Sequence, residues 1–300
     1  MSGGNSGSAG GLFGRPEALA AAAAGACSAL FALWAMRGLP LGGLLLWLTP
    51  LPIFAAGFGF GVRAAAYAGA ISAAVVVLTS TMTGLAVHLG LFVMPAVLIV
   101  GFAMRGPRLA LSVPLALLGV WPVLLLLVLA AFVPDLETAM REAVEQGLQR
   151  MGMPMADAMV TQITQVKAAA AGSWLALLML GNGWAGHRLA SRWDLAPPPA
   201  PEAEAIRLPG WYLPLPALAA LALLTLGGLV ALSAMLLLLV PFFVMGVFAV
   251  HVMLRGRKSR PAYLAGFYVL MLLFLQLMAP LMVGLGLFEQ YRRRPALPPT

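Results

Sequence analysis

Residues 208–254, LPGWYLPLPALAALALLTLGGLVALSAMLLLLVPFFVMGVFAVHVML, contain no Asp, Glu, Lys or Arg. The chain has seven charge-free stretches of 19 residues or more: residues 18–36, 38–62, 64–104, 109–134, 168–187, 208–254 and 261–288. A helix rises about 1.5 Å per residue and the bilayer core is about 30 Å thick, so roughly twenty apolar residues make one crossing. The stretches 64–104 and 208–254 are about twice that length, so each must fold back on itself, and we expect the first to turn near Gly84. We therefore predict an all-α fold, a polytopic transmembrane helical bundle of about nine helices, with eight as the alternative.

The composition agrees with a membrane protein. The chain is 62% hydrophobic and only 9% charged, whereas soluble domains carry about 25% charged residues. Its net charge of +8 comes from basic residues that lie singly or in short clusters beside apolar stretches, which is the pattern of membrane topology and not of nucleic-acid binding. We expect contact with the lipid bilayer and no nucleic-acid partner. The single Cys27 excludes an intrachain disulfide.

The apolar and polar segments predict an order along the chain. Residues 135–166 hold five of the ten acidic residues, and their apolar side chains recur every four positions, which predicts amphipathic helix on the membrane surface. The predicted parts are a disordered tail at 1–14, a six-helix membrane domain at 15–193 with an amphipathic extracytoplasmic insertion at 135–166, a Pro-rich cytoplasmic linker at 194–210, three further membrane helices at 211–291 and a basic Pro-rich tail at 292–300.

The positive-inside rule predicts the orientation. A cytoplasmic N-terminus places most basic residues, including those at 105–108 and 255–260, on the inside. The abundance of Arg, Ala, Gly and Pro is typical of a GC-rich bacterial genome, so we expect a multi-pass protein of the bacterial inner (plasma) membrane. Nine crossings leave the arginines at 292–294 outside; alternatively, the last helix breaks at Pro280 and the chain end turns back.

The sequence contains no evident energy source. No Asp or Glu lies inside any predicted crossing, which argues against a self-contained proton-driven mechanism. Sodium coupling through backbone carbonyls of a broken helix at 50–61 stays open. A GxxxxGK[ST] phosphate loop is also absent from the sequence, so uphill transport would need ATP hydrolysis by a partner.

Enzyme and metal motifs are equally sparse. Residues 181–186, GNGWAG, match GxGxxG, but without a preceding strand close helix packing is the better interpretation. The three histidines lack an HExxH motif. Met151, Met153 and Met155 have a spacing that could bind Cu(I), although an apolar surface patch is the favoured interpretation. We predict no enzymatic activity, no cofactor and no metal centre.

Polar and aromatic side chains converge at one end of the predicted bundle. Hydroxyl groups lie at the outer end of the third helix, an imidazole follows in the fourth, and indoles lie in the first two. A few polar groups in an apolar cavity commonly form a ligand site. The alternatives are hydroxyl bonds to carbonyls four residues earlier and ordinary interfacial anchoring of Trp. The candidate ligand-binding residues are Trp34, Trp47, Thr79, Thr81, Thr83 and His88.

Small residues at a spacing of four predict close helix contacts. Gly57 and Gly61 form a GxxxG motif, and Ala22 and Ala26 form a similar pair in the first helix.

Residues 50–69, PLPIFAAGFGFGVRAAAYAG, carry a recognisable pattern. Its key positions are Pro50, Pro52, Gly57, Gly61, Arg63 and Gly69. The pattern resembles the second-to-third helix region of the substrate-binding S components of energy-coupling-factor vitamin transporters, and this resemblance covers about the first six helices. The whole chain, including residues 286–288 and 292–294, is similar to an uncharacterised bacterial family of YybS-like integral membrane proteins.

The resemblance implies a mode of action. S components bind a small molecule from outside and depend on a transmembrane coupling protein and two ATPases. An AxxxA motif in their first helix docks the coupling protein, and Ala18, Ala22 and Ala26 match it here. The three helices after the linker are not part of the six-helix pattern.

Two functional classes follow from these features. We expect a transporter-like, small-molecule binding component that lacks its own energy source, partnered by a coupling membrane protein and ATPases or by other membrane proteins. The alternative is a noncatalytic scaffold or assembly factor that holds protein partners through the acidic segment 135–166 and the basic inner loops.

Overall fold

The computed structural model describes residues 16–153, 156–201 and 206–292. Across these ranges all regular secondary structure is helical, without strands, which confirms the all-α class. The predicted tails at 1–14 and 292–300 lie outside the described residues except for Arg292. Met155 also lies outside them.

The described residues form thirteen α-helices. They are α1 (Pro16–Met36), α2 (Gly42–Leu48), α3 (Leu51–Phe60), α4 (Val62–Thr79), α5 (Met82–His88), α6 (Met94–Ala103), α7 (Ser112–Phe132), α8 (Leu136–Arg150), α9 (Asp157–Arg192), α10 (Pro214–Leu226), α11 (Gly228–Met253), α12 (Arg260–Leu273) and α13 (Leu275–Arg292). A π-helical turn, Leu89–Val93, joins α5 to α6. A short 3-10 turn, Gly210–Tyr212, precedes α10.

Several of these helices could cross a membrane. Within the described part of the chain, seven helical segments are long and apolar enough: Pro16–Met36, Gly42–Phe60, Val62–Thr79, Met82–Ala103, Ser112–Phe132, Asp157–Arg192 and Gly228–Met253. The pair α12 and α13 also qualifies but is bent by 119°, and Gly210–Leu226 is a shorter apolar segment. These helices support a polytopic membrane bundle, whereas the count of nine crossings stays a prediction.

Helix boundaries differ from the sequence-based expectation at three places. Helix α9 has 36 residues, so the second half of the predicted insertion is the start of a long helix. At about 1.5 Å per residue, α9 is longer than the bilayer core is thick. The boundary predicted from the charged residues was wrong because charges mark where the hydrocarbon ends and not where a helix ends. The α4–α5 break lies at Ser80 and not near Gly84. The last segment breaks at Phe274, and Pro280 lies within α13.

By internal packing the chain forms two compact units, each built from two segments. Unit 1 comprises residues 1–109 and 178–199, and unit 2 comprises 110–177 and 200–300. The sequence pattern instead divides the chain once, at the linker 194–210, into an N-terminal and a C-terminal part, and that division stays a prediction.

In unit 1, close packing depends on glycines. A Cβ on Gly25 of α1 would lie 2.6 Å from the Ala68 carbonyl oxygen of α4. A Cβ on Gly186 of α9 would lie 2.6 Å from Phe54 Cβ of α3. Such contacts bring the helix backbones close together. Close packing matters in a bilayer because the hydrophobic effect does not drive helices together in lipid.

In unit 2, α11 and α13 pack antiparallel. A Cβ on Gly246 would lie 2.7 Å from the carbonyl carbon of Met282, and one on Gly286 would lie 2.7 Å from that of Phe242. The amphipathic helix α8 buries Leu136 and covers an apolar cluster. The buried members of this cluster are Leu126, Leu136, Ala168, Leu229 and Leu237.

Candidate functional site

The predicted hydroxyl groups lie at the turn between α4 and α5 and are used locally. Thr79 Oγ1 donates to the Val75 carbonyl oxygen at 2.6 Å, which is the bond to the preceding turn that the sequence left as an alternative. Thr81 caps α5, because its Oγ1 accepts from the Gly84 N–H at 3.0 Å. Thr83 is exposed. Thr79 and Thr81 therefore shape the turn.

The two predicted tryptophans are exposed, Trp34 at 38% and Trp47 at 47%. Trp34 Nε1 donates to the Pro40 carbonyl oxygen at 2.8 Å and closes the turn after α1. The Trp47 carbonyl oxygen accepts from Asn182 Nδ2 at 2.8 Å. The indoles and hydroxyls are thus held at the ends and surfaces of helices, apart from the buried imidazole.

His88 is fully buried and pairs with a residue that the sequence did not single out. Its Nε2 lies 2.8 Å from Oγ of Ser72, which is also fully buried on α4. His88 is the last residue of α5 and directly precedes the π-helical turn. Single-turn π-helices occur frequently at functional sites. The sequence offered one indication of Ser72: before Thr79, the only hydroxyl groups on α4 are those of Tyr67 and Ser72.

The other imidazole nitrogen has an unused hydrogen-bonding position. Among the described residues His88 Nδ1 is buried and has no hydrogen-bond partner. If the Ser72 hydroxyl donates to Nε2, Nδ1 carries the proton and is a donor; in the other tautomer Nδ1 is an acceptor. A buried polar atom left unpaired costs about 1–3 kcal/mol. The pair therefore presents one unsatisfied group inside unit 1.

This pair belongs to a layer of buried polar residues at one level of the helices. Gly25 faces Ile71, and Met36 Sδ lies 3.8 Å from Ser80 Oγ, so α1 and α4 run parallel. This register places buried Ser28 level with Ser72. Its Oγ donates to the Thr49 carbonyl oxygen at 2.8 Å. We define the polar layer as Ser28, Thr49, Ser72 and His88, all fully buried.

A second buried polar atom without a partner in the described structure belongs to Asn182 of α9. Asn182 Oδ1 is buried and, within the described ranges, without a hydrogen-bond partner. The Asn182 amide is held by the Trp47 carbonyl and by the Leu178 carbonyl at 2.9 Å. Trp47 lies two residues before Thr49, so Asn182 bonds the segment that leads into the polar layer.

The predicted packing residues have different surroundings. A Cβ on Gly57 would lie 2.7 Å from Val100 Cγ1, so Gly57 permits close approach of α6. Gly61 has φ +97° and open space beside it; it allows the sharp turn from α3 to α4. Ala22 and Ala26 are exposed on α1.

Unit 2 contains a polar cluster near the end of α13. Because α13 continues past the charge-free stretch, Glu289 is buried within it and pairs with Arg292 Nη2 at 2.7 Å. The absence of carboxylates from the predicted crossings therefore does not extend to the whole of α13. Gln290 accepts from the Leu208 N–H at 3.0 Å and donates to the Leu208 carbonyl at 3.2 Å. These bonds fasten α13 to the chain before α10.

Charged residues of the acidic segment tie α8 to the start of α9. Arg141 Nε bonds Glu145 at 2.9 Å, and its Nη2 bonds Asp157. The Asp157 carboxylate raises the pKa of Arg141. Hydrogen bonds from the backbone and side chain of Thr138 lower the pKa of Asp135, the N-cap of α8.

The described residues contain no group of three or more His, Cys, Asp or Glu side chains that could hold a metal ion. Met151 and Met153 are exposed. No protein family model, curated protein or solved structure matches this chain.

Proposed function

We propose that this multi-pass membrane protein lies in the bacterial inner membrane with a cytoplasmic N-terminus, is not an enzyme, and binds a small molecule at the polar layer of unit 1. The observation that carries the proposal is the buried Ser72–His88 pair with its unsatisfied Nδ1. An ionisable side chain within membrane helices is costly, and such residues commonly serve binding or transport.

The polar layer determines the chemistry of the ligand. It offers hydroxyl groups, an imidazole and backbone carbonyls, and none of its four members is a carboxylate, an ammonium or a guanidinium. A neutral molecule with one hydrogen-bonding group and an apolar body suits such a layer. A charged ligand would bring an uncompensated charge into a low-dielectric site.

Transport would need a partner. The resemblance to S components supports a coupling membrane protein and ATPases as that partner. The exposed Ala22 and Ala26 leave small side chains on α1 available for a neighbouring helix.

Native mass spectrometry of the gently purified full chain tests the proposal. We expect a retained small molecule in the wild type, loss of it in His88→Gln and Ser72→Ala, and retention in Thr79→Val. Thr79 is the matched control because it is an exposed hydroxyl on the same helix as Ser72. A wild-type protein without a bound molecule, or equal retention by His88→Gln and Thr79→Val, would contradict the proposal.

A scaffold function is the second candidate, and α8 favours it. The apolar face of α8 is buried in unit 2, whereas Glu137 and Glu142 are exposed. This arrangement holds two carboxylates on a fixed surface that a basic partner protein could contact. The same spectra would then show a copurifying subunit that Glu137→Gln together with Glu142→Gln removes.

A further inference from the structure

Helix α12 is an unusual element of unit 2. It has 14 residues, none of them buried, so its length of about 21 Å is shorter than the bilayer core of about 30 Å. At Phe274 the chain bends by 119° into α13. Helix α12 therefore neither spans the core alone nor continues the path of α13.

Both ends of α12 lie at the membrane face where α11 ends. The pairing of Gly246 with Met282 sets an antiparallel register, and extending it places Leu275 level with Met253. The C-terminal end of α12 thus lies at the level of the α11 terminus. Its N-terminal end follows α11 after the short loop 254–259.

The middle of α12 lies at the same face. Tyr268 Oη is 3.2 Å from Nε2 of His251, which belongs to the last turn of α11. Their ring centroids are 5.8 Å apart. Since both ends and the middle lie near one terminus of α11, α12 runs along this face and does not cross the bilayer.

A basic cluster accompanies α12. Arg255, Arg257 and Lys258 are exposed in the loop, and Arg260 begins the helix. In the part of the chain that the structure describes, none of the four forms an ion pair. Charges are costly in hydrocarbon, so the cluster must lie at headgroup level. Tyr263, exposed at 53%, is of a residue type enriched at that level.

We propose that the loop 254–259 and α12, together the interfacial anchor, bind the headgroups of anionic phospholipids. Arg and Lys complement the charge of phosphodiesters, and Arg can donate two parallel hydrogen bonds to one phosphate. The exposed apolar residues near the end of α12, Leu272 at 83% and Leu273 at 68%, would enter the boundary of the acyl chains.

Lipid selection by the full chain tests the charge part of the proposal. The protein is reconstituted in nanodiscs containing phosphatidylcholine and phosphatidylglycerol, and native mass spectrometry counts the lipids retained on release. We expect the wild type to retain phosphatidylglycerol severalfold above its share in the nanodisc. The combined variant Arg255→Gln, Arg257→Gln and Lys258→Gln should lose this enrichment.

The matched control removes three exposed arginines from unit 1. This variant combines Arg63→Gln, Arg188→Gln and Arg192→Gln, and it should keep the enrichment. Equal losses in both triple variants, or a wild type that retains lipids in the nanodisc proportion, would overturn the proposal.

Depth measurement tests the position of α12 independently. In a Cys27→Ala background, a spin label at Val269→Cys on α12 should lie near the headgroups. A label at Leu124→Cys, in the middle of α7, should lie near the bilayer centre. Equal depths for the two labels would show that α12 crosses the bilayer and would refute the interfacial anchor.

Discussion

Replacing Gly286 by alanine should separate α13 from α11. A Cβ at this position would lie 2.7 Å from the carbonyl carbon of Phe242 and closer still to its oxygen. Because these atoms belong to the backbone of a helix, no side-chain rotation can relieve the overlap. Gly284, on the same helix, has no neighbouring atom within 4 Å of a Cβ and provides a matched control.

The magnitude follows from the required movement. Carbon atoms pack best at about 3.5–4.0 Å, so the helices must part by roughly 0.8 Å or more, which forfeits about a quarter to a half of the local dispersion energy. Overpacking of this kind costs about 1–3 kcal/mol. Alanine also gains up to about 1 kcal/mol of helix propensity over glycine. That gain is common to both variants and cancels when Gly286→Ala is compared with Gly284→Ala.

Unfolding of the full chain in mixed micelles of mild detergent and dodecyl sulfate, followed by far-ultraviolet circular dichroism, measures the difference. We expect Gly284→Ala to match or exceed the wild type and Gly286→Ala to be less stable than Gly284→Ala by about 1–3 kcal/mol. Coincident unfolding curves for the two variants would refute the close antiparallel contact of α11 and α13.

Three further outcomes are expected. Thr81→Ala should lose the cap of α5 and destabilise the protein by about 1 kcal/mol, whereas Thr81→Ser should not; equal losses in the same unfolding assay would argue against capping. Gln290→Ala should cost about 1–3 kcal/mol, because the buried N–H of Leu208 loses its acceptor, and Gln290→Glu should keep that acceptor. Since hydrogen bonds lower the pKa of Asp135, its contribution to α8 is present above the ordinary pKa of 3.8 and is lost as the pH falls through the lower folded value. Hydrogen exchange in the first turn of α8, corrected for the intrinsic rate, should therefore rise at acid pH in the wild type and stay flat in Asp135→Asn.

Some features of the site could be read from the sequence and others could not. His88 stands out because an imidazole is rare in an apolar stretch, and the sequence therefore made it a candidate ligand-binding residue. Its partner Ser72 could not be identified, because sixteen positions separate the two residues and the register of α4 against α5 decides which side chains meet. Thr79 and Thr81 were grouped with His88 by proximity along the chain, but local bonds at the turn account for both of their hydroxyls.

The position of the break in the last helical segment could not be predicted from the sequence either. Proline was the evident breaker, so the sequence pointed to Pro280. The chain bends at Phe274 instead, and Pro280 is accommodated within α13 because neighbouring groups can compensate a lost backbone bond in packed membrane helices.

The sequence by itself determined the class of this protein, since apolar stretches of membrane length cannot be hidden in a water-soluble core and their backbone groups require helices. It also determined where charges lie, and therefore which loops must face water. Only the tertiary structure decided which polar atoms are buried together, as in Ser72 and His88, and which carboxylate is buried, as Glu289 is. The physical reason is that hydropathy depends on composition along the chain, whereas hydrogen-bond pairing depends on the register between helices. Glycines such as Gly25 and Gly286 help to set this register, because they permit the backbones to approach closely where a side chain would collide.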